Sequence, residues 1–167
     1  MKKIVYLSLG SNLGERKALL HAAVERLREL GQVTAVSSLY ETEPVDFISQ
    51  PRFLNCAVAL ETDLMPKQLL ARTQQIEHAL GRRRSGSSPA TAKGPRTIDI
   101  DILLFGQSVV DTANLVIPHP ALHQRRFVLE PLAEIAPDAR HPLFKTTVRQ
   151  MREAVPREGQ AVKRITE

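Results

Sequence analysis

The sequence predicts an α+β fold in the order βαββαβ, followed by a C-terminal extension of short strands and helices. Three observations carry this expectation. Apolar runs of strand length at Ile4–Leu9 and Phe53–Glu61 are each followed by residues with apolar positions at helical spacing, Glu15–Leu30 and Pro66–Gly81. A single alternating segment, Gln32–Tyr40, lies between these two units, and another strand with an apolar run, Gly94–Gly106, comes after them. The chain of 167 residues, 43% hydrophobic, suits one compact domain spanning 1–167.

Each element has a local reason. Ile4–Leu9 reads as a buried strand closed by a turn at Gly10. In the first helix, Leu19, Leu20, Ala23, Val24, Leu27 and Leu30 recur on one side, and Gly31 stands where a left-handed cap is expected. The loop Gly10–Gly14 lacks the Gly-Lys-Ser/Thr ending of a P-loop and reads mainly as a strand-to-helix turn. Gln32–Tyr40 is expected to form one strand, antiparallel to the Phe53–Glu61 strand. A long loop, Glu41–Pro51, carries two prolines. In the next strand, Leu54, Cys56, Val58 and Leu60 face one way, with Phe53, Asn55 and Ala57 on the other side. Pro66 opens the second helix at the position proline tolerates, with Leu69, Leu70, Thr73, Ile76 and Leu80 on its inner side. Residues 82–93 are basic, then rich in Ser, Gly, Pro and Ala, and are expected to form a mobile loop. The resulting order is the split βαβ pattern of a ferredoxin-like sandwich. In the extension, Val109-Val110 and Val116-Ile117 are candidate short strands, Phe127–Ile135 and Thr147–Ala154 candidate helices, and the polar tail from Pro156 is expected to be loosely held.

Composition narrows the function classes. Net charge is +5, from 23 basic and 18 acidic residues, with basic clusters at Arg82–Arg84 and Arg125-Arg126. That balance suits anionic ligands. Only 4% of residues are aromatic, too few to supply base-stacking platforms, so a phosphorylated small molecule fits better than nucleic acid. Cys56 is the only cysteine, which excludes an internal disulfide. The apolar stretch after Lys2-Lys3 is cut short by Ser8–Asn12, and no run approaches the roughly 20 residues of a membrane helix. A cytoplasmic protein without a membrane partner is expected.

The chemistry concentrates in Gly94–Gly106. Strand alternation puts Ile98, Ile100 and Ile102 on one face and Asp99 and Asp101 on the other. Two like charges so placed repel unless a cation lies between them, and magnesium favours a few carboxylates together with substrate phosphate oxygens. Arg96, just upstream, suits the remaining phosphate charge. An alternating surface strand is the competing explanation for the two acids, as a pair of solvated helix residues is for Gln74 and Glu77.

Five segments together carry a resemblance: Leu7–Asn12, Tyr40–Val45, Gln50–Asn55, Gly94–Gly106 and Val116–Pro120. They are similar to those of the 6-hydroxymethyl-7,8-dihydropterin pyrophosphokinase family, whose members move a diphosphate from ATP to a pterin alcohol in folate synthesis. The resemblance implies that Asp99 and Asp101 hold two Mg2+ ions bridging the phosphates of ATP, the co-substrate. It implies a pterin pocket of Thr42, Pro44, Val45 and Asn55, with the ring between Phe53 and Phe127. Gln74, Glu77, Arg96, His119 and Arg125 match positions near ATP. Arg82, Arg84 and Arg96, with His119, match the catalytic charges, and the loop arginines would close over the triphosphate. A monomer acting on small molecules is the expected form. His21, His78, His123 and His141 show no metal-ligand spacing and are expected to be surface or packing residues. Two readings compete: an RNA-binding ferredoxin-like module, which would need aromatic-rich strands, and a phosphoryl or nucleotidyl transferase acting on another alcohol.

Overall fold

The computed structural model describes residues 2–42, 52–81, 98–158 and 160–165. Its elements are β1 (Lys3–Ser11), α1 (Arg16–Leu27), β2 (Gln32–Val36), β3 (Leu39–Thr42), β4 (Phe53–Thr62), α2 (Pro66–Gly81), β5 (Asp99–Phe105), β6 (Val110–Asp111), β7 (Val116–Ile117), α3 (Arg126–Ile135), α4 (Val148–Ala154) and β8 (Val162–Ile165). The main sheet runs β5-β1-β4-β3-β8, with β2 also paired to β4, and every pairing is antiparallel. Each of the helices α1 and α2 joins two parallel strands across one intervening strand. That is the ferredoxin-like arrangement the element order predicts.

The sheet is buried on both faces. On one, Leu7, Leu9, Leu54, Cys56, Val58, Leu60, Ile100 and Ile102 pack with Leu20, Leu27 and Leu69 of α1 and α2. On the other, Ala57, Leu103 and Leu104 pack with Val128, Leu129 and Leu132 of α3 and with Val148 and Met151 of α4. The extension therefore supplies the second layer, and β4 is apolar on both sides because both sides meet helices. Truncating a fully buried leucine such as Leu60 or Leu129 would cost about 2–5 kcal/mol.

Four local expectations are corrected. Gly10 does not close β1: the strand continues through Ser11, and Gly10 is paired on both sides, with Asn55 and Asp99. Gly31 is not a left-handed cap, since positive φ among glycines is found only at Gly14 and Gly106 of the described residues. A Cβ at Gly31 would lie 2.1 Å from the Glu61 carbonyl oxygen, so close backbone approach requires the glycine. Gln32–Tyr40 is two strands: the Ser37 hydroxyl accepts the Ala57 N–H at 2.9 Å, and Ser38 is left outside the pairing. The tail is held as well, because Val162–Ile165 forms β8 alongside β3.

The break at Ser38 is clamped from α3. The Glu134 carboxylate accepts the Ser38 N–H at 3.1 and 3.0 Å, the Ser38 hydroxyl at 3.0 Å and the Tyr40 hydroxyl at 2.7 Å. Burial opposes ionisation of Glu134, but the Tyr40 and Ser38 bonds and the nearby Arg164 outweigh it and lower its pKa. Burial, reinforced by that same carboxylate, raises the Tyr40 pKa well above the phenol range. The signs follow. Glu134 stabilises fully above the unfolded carboxylate range, near pH 4.3, and its contribution is lost as pH falls through the lowered folded value. Tyr40 stabilises fully below about pH 10 and loses its contribution as pH rises through the raised value. Glu134→Gln should cost about 1 kcal/mol at pH 7, the difference between charged and neutral hydrogen bonds. Urea unfolding across pH should show that gap closing below pH 4.

Candidate active site

Of the expected site residues that are described, Thr42, Phe53, Asn55, Asp99 and Asp101 lie on the α3 side of the sheet, at the ends of β3, β4 and β5. Pairing of Gly10 with Asp99 and Asn55, and of Asn55 with Tyr40, draws one row across the strands: Asp99, Gly10, Asn55, Tyr40. Ser8 pairs with Asp101 one step along. Strand alternation sets the faces: Ile100 and Ile102 point into the α1 and α2 core, so Asp99 and Asp101 point the other way, half-buried. Asn55 is 3% exposed and donates from Nδ2 to the Thr42 hydroxyl at 3.0 Å. Phe53, half-buried and paired with Thr42, shares that face.

Glu77 does more than decorate a helix. Its Oε2 accepts the Ile100 N–H at 2.7 Å. That amide lies between the two aspartates, on the outward side of the last strand in the described sheet. The carboxylate therefore replaces a missing neighbour strand and holds the segment bearing both acids. Gln74, one turn earlier on α2, is exposed.

His119 is placed by an irregularity. Opposite Tyr6 and Leu7 the β5 register shifts, leaving Leu103 unpaired, and the Leu103 carbonyl accepts the His119 N–H at 3.0 Å. The His119 Nδ1 accepts the Ala121 N–H at 3.1 Å, so the neutral ring carries its proton on Nε2. Burial and the adjacent Arg125 lower the His119 pKa, partly countered by Asp99. At neutral pH this residue is a hydrogen-bond donor, well suited to a phosphate oxygen. The Arg125 guanidinium lies 5.6 Å from the centre of the Phe127 ring, a cation–π contact at the start of α3.

Arg125 and Arg126, adjacent in the basic cluster, have different fates. Arg126 is 6% exposed and is spent internally, on Glu130 at 2.7 Å and on the carbonyls of Arg152 and Val155 at 3.3 Å. It ties the start of α3 to the end of α4 and so steadies Arg125 and Phe127. No sequence pattern marks it as different from its neighbour. Glu134 and the Leu103 irregularity were equally invisible in one dimension. Pro44, Val45, Arg82, Arg84 and Arg96, together with the 82–93 loop, lie outside the described residues.

The donor set fits magnesium. Among the described residues no group of three or more His, Cys, Asp or Glu side chains could hold an ion, so the described residues form no closed cage. Two half-buried carboxylates on one strand face are what an ion needs when phosphates and water complete its shell. A separate cleft of about 410 Å³ lies on the opposite face, between α1 and the β2–β3 break, over Cys56. It contains none of the expected site residues. Burial pushes the Cys56 thiol up to about 12, leaving it an unreactive apolar group.

A profile of the 7,8-dihydro-6-hydroxymethylpterin-pyrophosphokinase family matches residues 6–137. The chain belongs to this family. It is 49% identical over 137 residues to the 2-amino-4-hydroxy-6-hydroxymethyldihydropteridine pyrophosphokinase of Bacillus subtilis (strain 168), covering 81% of the chain and 79% of that protein. It is 44% identical over 140 residues to the protein of the same name from Pseudomonas aeruginosa, covering 83% of each. The folic acid synthesis protein fol1 of Pneumocystis carinii is 43% identical over 83% of the chain, which spans only 18% of that longer protein. Among solved structures, Plasmodium falciparum HPPK-DHPS with pteroate superposes with a TM-score of 0.69 at 17% identity, over 92% of this chain and 42% of that one. At that identity the likeness speaks for the fold. Among the described residues no helix is long and apolar enough to cross a membrane.

If Glu77 holds the outer edge of β5, Glu77→Ala should speed hydrogen exchange of the Ile100 amide about tenfold while β1 amides stay protected. Exchange monitored by NMR, with Glu77→Gln as the variant that keeps an acceptor, checks this.

Proposed function

We propose that this chain is a 6-hydroxymethyl-7,8-dihydropterin pyrophosphokinase that transfers the β,γ-diphosphate of ATP to the pterin hydroxymethyl oxygen in folate biosynthesis. The observation that carries the reading is the cross-sheet row, in which a carboxylate pair suited to metal-bound phosphate stands across one intervening strand from a buried amide suited to a heterocycle edge. Membership of the family supports it.

In this mechanism the hydroxymethyl oxygen attacks the β-phosphorus, the bond between that phosphorus and the α,β-bridging oxygen breaks, and AMP leaves with the bridging oxygen. The hydroxyl proton passes to solvent or phosphate, and no covalent enzyme intermediate forms. Catalysis of this type depends on alignment and charge neutralisation. Asp99 and Asp101 would hold magnesium, two ions in the full reading, which supplies neutralisation of the phosphate charge. His119 donates from Nε2 to a phosphate oxygen, and Arg125, Arg82, Arg84 and Arg96 add positive charge. Gln74 and Glu77 lie toward the nucleotide, with Glu77 also bracing β5. Asn55 and Thr42 read the polar edge of the pterin, with Pro44 and Val45 beside them, and Phe53 and Phe127 stack on its faces. The enzyme acts as a cytoplasmic monomer.

A coupled assay for AMP formation from ATP, magnesium and 6-hydroxymethyl-7,8-dihydropterin tests the reading directly. AMP must appear only when all three are present; a different alcohol accepted in place of the pterin would overturn it. Asp99→Ala and Asp101→Ala should each lower kcat by about 100-fold or more with unchanged melting temperature, since neither side chain fills the core. Asn55→Ala should weaken pterin binding by about tenfold and leave binding of a non-hydrolysable ATP analogue within twofold, as read by calorimetry.

A further inference from the structure

Gly10 lies in the middle of the row, between Asp99 on β5 and Asn55 on β4. Nothing in its conformation demands glycine, because positive φ is confined to Gly14, Gly106 and Lys145 among the described residues. As an interior strand position it even weakens the strand, since glycine costs more backbone entropy than alanine. The reason for it is spatial. A Cβ built at Gly10 would stand 2.8 Å from Asn55 Oδ1, 3.8 Å from Asn55 Cγ and 3.8 Å from Phe53 Cδ1. The first distance is closer than real Cβ contacts, and the atom that must yield is the amide itself. Asn55 has little room to yield, being 3% exposed and bonded at 3.0 Å to Thr42.

We propose that Gly10 is the positioning residue for the pterin, its missing side chain letting the Asn55 amide lie across β1 in the orientation that reads the pterin edge. The proposal rests on the pyrophosphokinase reading and adds to it a residue that touches no phosphate and offers no polar side-chain atom.

The test is a cycle of Gly10→Ala, Asn55→Ala and the double variant. It reads melting temperature, calorimetric affinity for 6-hydroxymethyl-7,8-dihydropterin and for a non-hydrolysable ATP analogue with magnesium, and the two KM values. Gly10→Ala should weaken pterin binding on the order of tenfold or more and raise the pterin KM, with the ATP-analogue affinity within twofold. In the Asn55→Ala background the same change should cost less than twofold, because the displaced group is already gone. Equal losses for both ligands, or a full loss on top of Asn55→Ala, would overturn the proposal. Should Gly10→Ala fail to fold, the double variant decides: recovery to the melting temperature of Asn55→Ala supports the clash with the amide, and continued unfolding overturns it. Absence of pterin binding by the wild-type chain is a separate outcome that sinks the functional reading itself, whereas wild-type binding with an unaffected Gly10→Ala sinks only the inference.

Discussion

The register of β1 against its two neighbours is the constraint on which the site depends. Leu9 pairs with Cys56 on one side and Ile100 on the other, and all three enter the core beneath α1 and α2. Once those apolar residues are committed, Gly10, Asn55 and Asp99 have only the opposite face to occupy. A slip of one residue would turn the Asp99 and Asp101 carboxylates into that core in the β5 pairing and the Asn55 amide in the β4 pairing, so the packing that stabilises the sheet also sets the spacing of the site. Hydrophobic burial, which has no direction of its own, thereby aligns polar groups from three strands.

The periphery of the site is held by carboxylates and an arginine acting on backbone. Glu77 satisfies the outward amide of β5, and Glu134 gathers the Ser38 and Tyr40 groups at the break between β2 and β3. Arg126 joins the start of α3 to the end of α4. Each lies where a strand or helix ends or is interrupted, and each supplies the partner that regular hydrogen bonding leaves missing. His119, beside Asp99 and Arg125, and Phe127, under the Arg125 guanidinium, are thus mounted on anchored backbone. Pre-positioning of this kind matters most for a reaction whose acceleration comes from alignment and charge.

The second helical layer belongs to the extension and not to the βαββαβ unit. Without α3 and α4, Ala57, Leu103 and Leu104 would face water. The layer meets the row at Tyr40, whose hydroxyl bonds to Glu134 of α3, and the same sheet face is core under the helices and carries the candidate site farther along. Ala57 and Asn55, two residues apart on one strand, thus differ in surroundings: Ala57 packs under the helices, and Asn55 is a buried amide bonded to Thr42.

Much of this protein was legible in one dimension. Period-two and period-3.6 patterns marked the principal strands and helices, Pro66 and Gly81 bounded α2, and alternation alone placed Asp99 with Asp101 on one side of their strand and Phe53 with Asn55 on one side of theirs. These are local properties, determined by the geometry of a single strand or helix. The sequence also carried the family, through motifs whose residue types and spacing recur together. Contacts between distant segments were decided only by the tertiary structure. Gly10 and Gly31 read as turn and cap because a glycine in sequence does not say whether it answers to φ or to a neighbour's backbone or amide. The polar tail read as loose because pairing of β8 with β3 depends on a strand edge more than a hundred residues earlier. Arg125 and Arg126 read as one basic patch, and only the meeting of α3 with α4 separated the buried anchor from the residue left facing the site. Charge type and periodicity are written along the chain, whereas burial and partnership exist only once the chain has folded back on itself.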